Sequence, residues 1–152
     1  MFKIAILGCE NSHANAFLRE IYENAAYADV QVVGVYSDQK EAAEKLREQF
    51  GVPVLEDYGE AVGQLDGLII TARHGDNHYK YAKPYIDSGI PMFIDKPITV
   101  SEEEAVEFIG RLKEKNIPIS GGSSLKQDVF VKQLKQAAAD RVGGATLGGL
   151  VR

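Results

Sequence analysis

The chain has a single cysteine among its 152 residues. No disulfide can form within it, and a reducing compartment, the cytoplasm, is the expected setting. It has no basic run: 17 Lys and Arg are scattered among 22 Asp and Glu, for a net charge of −5. That leaves no electrostatic footprint for nucleic acid or an anionic membrane surface. It has no long apolar run either. Its apolar stretches are strand-length, well short of the ~20 residues a membrane-spanning helix needs. The opening Met1-Phe2-Lys3-Ile4-Ala5-Ile6-Leu7 is too short for a secretory signal, and Gly8-Cys9-Glu10 follows at once. Internal repeats and low-complexity segments are absent. What remains is an ordinary globular composition, 45% apolar and 26% charged, at a length that suits one domain with a real core.

Within that length, β-type and helix-type patterns alternate. Lys3–Leu7, Val30–Tyr36, Val52–Leu55, Gly67–Thr71, Pro91–Ile94 and Ile117–Ser120 read as six strands. Between them, 13–26, 40–50, 78–88 and a helix opened by the capping box Ser101-Glu102-Glu103-Glu104 carry apolar residues at helical spacing. Pro84 predicts a kink in the third of these, and Tyr81 and Tyr85 read as its core face. A last helix is expected over 128–139. Strands alternating with helices predict an α/β fold, a doubly wound parallel six-stranded sheet in the Rossmann order 3-2-1-4-5-6. The expected domain covers 1–141. Residues 142–152, glycine-rich and then apolar, read as a linker into a further element.

In such a sheet all strands end on one edge, and the reactive residues gather there. Met92-Phe93-Ile94 runs directly into Asp95-Lys96-Pro97. Proline restricts the residue before it toward an extended conformation, so the backbone aims the Lys96 ammonium. It either works on a ligand or is simply solvated. The first strand is followed by Gly8-Cys9-Glu10-Asn11-Ser12-His13, which matches G-x-G-x-x-G only at Gly8. Glu10 and His13 replace the second and third glycines. Asn11 or Ser12 can cap the next helix, whose amino end can still attract an anion. The loop is either a dinucleotide turn with defects or a structural turn. After the second strand, Ser37-Asp38 could meet a ribose hydroxyl, or Asp38 could cap a helix. His74-Gly75-Asp76-Asn77-His78, with Cys9 and His13 nearby, admits a metal site, but no ligand spacing recurs and no metal is expected. Cys9 reads as a small packed residue rather than a nucleophile.

Four stretches together resemble the amino-terminal domain of the Gfo/Idh/MocA oxidoreductases: Lys3–Gly8, Val32–Ser37, Asp66–Thr71 with His78, and Asp95-Lys96-Pro97, which is similar to that family's Glu-Lys-Pro signature. The resemblance implies binding of NAD or NADP and hydride transfer to or from a sugar, cyclitol or related polyol. It implies a catalytic role for Lys96, near both nicotinamide and substrate. It implies cofactor contacts from Gly8, Glu10, Asn11, Ser12, His13, Ser37, Asp38, Thr71, Ala72, His78, Asp95, Lys96 and Pro97. Family enzymes continue into a second α/β domain, which carries substrate and acid–base groups. That domain is absent here, so the chain is expected to be inactive alone. The alternative is a non-catalytic nucleotide-binding or regulatory module. An uncovered sheet face would favour a homo-oligomer.

Overall fold

The computed structural model describes residues 1–123, 128, 129, 131–133 and 136. The chain divides into two compact units, Met1–Gly122 and Ser123–Arg152. In the second, the Asp128 carboxylate accepts from the Val131 N–H at 3.2 Å and its carbonyl from the Lys132 N–H at 3.0 Å, a helix start. The rest of the expected last helix and the segment 142–152 lie outside the described residues.

The first unit is built from β1 (Phe2–Leu7), α1 (Ser12–Glu23), β2 (Val30–Tyr36), α2 (Lys40–Phe50), β3 (Gly67–Ile70), α3 (Asp76–Ala82), β4 (Met92–Ile94), α4 (Glu102–Glu114) and β5 (Ile119–Gly121). The strands form one parallel sheet in the order β2-β1-β3-β4-β5. This corrects the expected six strands in the order 3-2-1-4-5-6. The segment expected as the third strand, 52–55, makes only a single parallel bridge, Val35↔Val54. Its two hydrogen bonds, Val35 N–H to Pro53 O and Leu55 N–H to Val35 O, are each 2.9 Å. Pro53 has no N–H to extend the ladder backward. Forward of it, the Glu56 N–H turns instead to the Glu60 carboxylate at 2.7 Å.

Strand alternation sends side chains to two cores. Ile4, Ile6, Val32 and Val35 pack with Ala14 and Leu18 of α1 and Ala43 and Leu46 of α2. Ala5, Leu7, Leu68, Ile70, Met92 and Ile94 pack with Tyr81, Ala82, Phe108 and Leu112 on the other face. A register shift in β1–β2, Ile4 opposite Val32 but Ala5 opposite Gly34, lets Val33 bulge and keeps the alternation in phase. Gly34 admits Leu55, whose side chain lies 2.7 Å from where a Cβ would stand.

Helix ends follow local chemistry. Asn11 and Ser101 accept N–H bonds as N-caps of α1 and α4, and α2 stops at left-handed Gly51. At Pro84 the expected kink takes the form of a change from α-helix to a 3-10 segment, Lys83–Ser88. Among the described residues, no helix is long and apolar enough to cross a membrane.

Candidate functional site

All five strands deliver their carboxyl ends to one edge, and the first loop fastens itself to several of them. Gly8 has φ +79°, and a Cβ there would lie 2.4 Å from the Ala72 N and Cα. Only glycine lets the β1 loop pass that close to the β3 loop. The Thr71 hydroxyl, fully buried, closes the contact by donating to the Gly8 carbonyl at 3.0 Å. Asn11 caps α1 by accepting from the His13 N–H at 2.8 Å, and its amide N–H donates to the Thr71 carbonyl. Ser12 is exposed at the first position of α1.

Glu10 does more than occupy a glycine position. One carboxylate oxygen accepts from the Ser37 hydroxyl and the other from the Arg73 N–H, both at 2.8 Å. The Arg73 guanidinium returns a bond to the Glu10 carbonyl at 2.9 Å. The carboxylate therefore joins the ends of β1, β2 and β3. It stands on the wall of a groove of about 530 Å³ shared with Asn11, Ser12, Gln39, Lys45 and Arg73. Sequence reasoning passed over Arg73, because nothing in its neighbours marks a partner 63 residues away.

On the β4 side, Asp95 is buried. One of its oxygens pairs with His13 Nδ1 at 2.5 Å, and the other accepts from the Lys96 N–H at 2.8 Å. The His13 side chain is 48% exposed. The Lys96 side chain is exposed, and among the described residues its ammonium has no bonding partner. The Lys96–Pro97 peptide is cis, and Pro97 packs against Gly75.

Two candidates are tied into other contacts. His78 is fully buried, with Nε2 2.9 Å from the Ala72 carbonyl and Nδ1 2.5 Å from the Pro97 carbonyl. It is a strut between the β3 and β4 loops. Asp38 does not cap α2; the cap position is Gln39, without a side-chain bond. Its carboxylate accepts from the Tyr36 and Tyr81 hydroxyls, both at 2.7 Å, with the Lys80 ammonium at 3.5 Å. The bonds from Tyr36 and Tyr81 hold its pKa below the usual value of 3.8.

A folded pKa below the unfolded one contributes stability above the unfolded value, and that stability is lost as pH falls through the folded value. Asp38→Asn should therefore be less stable than the parent at pH 7, with the gap closing below about pH 4. Urea melts would reject this account if the gap failed to narrow as the pH falls below about 4. Burial pushes the Cys9 thiol up to about 12, so it is no thiolate nucleophile at neutral pH. Among the described residues, no three His, Cys, Asp or Glu gather closely enough to hold a metal ion.

Comparison with known proteins converges on one family. A curated relative, UDP-N-acetylglucosamine 3-dehydrogenase of Acidithiobacillus ferrooxidans, is 22% identical over 107 residues, 70% of this chain and 34% of that protein. Its solved structure superposes with a TM-score of 0.70 at 20% identity, covering 89% of this chain and 41% of that one. The WlbA dehydrogenase of Bordetella pertussis, solved with NADH and UDP-GlcNAcA, gives 0.76 at 14% identity, over 91% and 42%. Biliverdin reductase of Synechocystis, solved with biliverdin and NADP+, gives 0.73 at 15% identity, over 93% and 44%. The chain thus spans about a third of the curated relative's length and about two fifths of these structures. The profile that matches residues 2–122 is GFO_IDH_MocA, and the chain belongs to that family, the oxidoreductases with an NAD-binding Rossmann fold.

Proposed function

We propose that this chain is the cofactor half of a cytoplasmic oxidoreductase acting on a sugar, sugar nucleotide, cyclitol or related polyol, and that it turns over only with a second, substrate-binding domain. The observation that carries this reading is the β4 corner. A buried carboxylate holds Lys96 by its backbone N–H, and the ammonium is exposed with no partner among the described residues. That ammonium shares the sheet edge with the amino end of α1, where anions are favoured.

The residues present fit a nicotinamide dinucleotide in kind. The turn at Gly8 closes tightly, Asn11 and Ser12 begin a helix whose amino end faces the crevice, and polar groups line the groove beside it. They depart from the usual cradle at Glu10, where a side chain fills space that glycine would leave open. In this reading Gly8, Asn11, Ser12, Thr71 and Ala72 shape the phosphate side, and Glu10 and Ser37 meet the ribose. His13, Asp95, Lys96 and Pro97 form the nicotinamide side. When bound, the dinucleotide supplies a hydride donor or acceptor. Lys96 orients the substrate hydroxyl and carries its proton, and Asp95 keeps the lysine backbone in place. The solved dehydrogenases with sugar-nucleotide names support the substrate class.

Titration with NADH and NADPH tests the reading. The chain has no tryptophan, so the fluorescence of the reduced dinucleotide can be followed over a low protein background. Saturable binding below millimolar concentration is expected for at least one of the two. Lack of binding by both at millimolar concentration would sink the proposal. Glu10 favours a second reading, a nucleotide-binding module without catalysis. Lys96→Met separates them. In the enzyme reading it changes NADH affinity and leaves ADP affinity alone; in the module reading it changes neither.

A further inference from the structure

We infer that Glu10, not Asp38, is the acid that sets cofactor choice in this crevice, and that it selects an adenine ribose without a 2′-phosphate. The inference rests on the dinucleotide reading above and concerns which side chain discriminates within it.

In dinucleotide-binding sheets, an acid at the end of the second strand receives the ribose hydroxyls and repels a 2′-phosphate. By sequence position that acid is Asp38. The structure commits Asp38 elsewhere. Its oxygens accept from the Tyr36 and Tyr81 hydroxyls and face Lys80, so it is anchored to α3. Tyr81 is fully buried, and withdrawing Asp38 would strand its hydroxyl without an acceptor.

Glu10 reaches the same strand end from the first loop. Its carboxylate holds the Ser37 hydroxyl at the end of β2 and the Arg73 N–H beyond β3. It lies on the groove wall, whereas Asp38 does not line that groove. Each Glu10 oxygen carries one hydrogen bond, and an ionised carboxylate has about four acceptor positions. Acceptor capacity is left for a vicinal diol. A 2′-phosphate arriving there would bring like charge against a tethered carboxylate. Glu41 and Lys45 face the same groove with opposite signs and do not decide the balance. Arg73 lies beside Glu10 and is the cation that a phosphate would use once the carboxylate is neutralised.

The test compares the parent chain, Glu10→Gln and Asp38→Asn. Dissociation constants are measured for NADH, NADPH, AMP and adenosine 2′,5′-bisphosphate, with circular dichroism confirming that each protein is folded. The glutamine keeps the size of the side chain and one acceptor oxygen while removing the charge. The parent should prefer NADH and AMP over their 2′-phosphorylated counterparts by about tenfold or more, a factor that corresponds to ~1.4 kcal/mol. Glu10→Gln should erase or reverse that ratio. Asp38→Asn should leave it within about twofold, since Asp38 does not line the groove that Glu10 lines. A parent that prefers NADPH overturns the inference. So does a ratio unmoved by Glu10→Gln, or one erased by Asp38→Asn. Failure of all four nucleotides to bind any of the three proteins overturns the dinucleotide reading itself. That result is distinct from tight binding whose selectivity ignores Glu10.

Discussion

Replacing Gly8 with alanine should cost the fold about 3 kcal/mol or more, through backbone strain and overpacking together. For a chain of this size that lowers the melting temperature by roughly 10 °C. Two effects add. At φ +79° an L side chain is strained, and the new Cβ would stand 2.4 Å from the Ala72 N and Cα and 2.5 Å from its Cβ. The N and Cα are backbone atoms just past the end of β3, held by the Thr71 N–H bond to the Leu7 carbonyl at 2.9 Å. They cannot move aside without parting β1 from β3. Gly51→Ala is the internal control. Its φ is +69°, but nothing lies within 4 Å of the added Cβ, so it carries the strain alone, about 1 kcal/mol. Thermal melts of both variants decide the matter. If Gly8→Ala melts within two degrees of Gly51→Ala, the close approach to Ala72 is not what holds the two loops together.

His78→Ala should be nearly as damaging, by about 3 kcal/mol, through a cavity and the loss of the ring N–H that serves the Ala72 and Pro97 carbonyls. The ring is fully buried and faces the carbonyls of Ala72 and Pro97. Carbonyl oxygens only accept, and a neutral imidazole carries a single N–H, so the ring donates to one of the two carbonyls at a time. The damage should be local as well as global. Amide exchange in 72–77 and 95–101 should quicken ahead of the rest, because His78 spans those loops. A variant within 1 kcal/mol of the parent, with unchanged exchange in both segments, would show that the strut is dispensable.

These two positions mark the limits of what could be read in advance. Local signals worked where the cause was local. Val30–Tyr36 and Lys40–Phe50 have the expected bounds, because a valine-rich run and an amphipathic stretch closed by Gly51 need no distant partner. The corner at Asp95-Lys96-Pro97 was visible for the same reason, as an apolar strand ending abruptly in polar residues. The strand expected at 52–55 failed on one residue, Pro53, whose missing N–H outweighed the valines on either side. On α4, helical spacing puts Val106, Ile109 and Leu112 on one stripe, yet Val106 is 70% exposed while Phe108 is fully buried. The apolar spacing there suited more than one stripe, and only the sheet chose between them. The site's connections were the least legible. His13 meets Asp95 across 82 residues, and Glu10 meets Arg73 across 63. A motif reading treats Glu10 as a defect that repels phosphate. Once folded, its carboxylate has two donors waiting for it.

The first loop is therefore the hub of a spoked rim. Glu10 reaches the ends of β2 and β3, Asn11 reaches β3, and His13 reaches β4. Grafting the full glycine pattern onto this chain would open the phosphate cradle and, in the same stroke, cut the Glu10 and His13 spokes. An engineer who wants the tighter cradle would have to rebuild the rim from the other side, by giving the strand ends side chains that bond to one another. Until then, the glycine-rich version should be the looser ring.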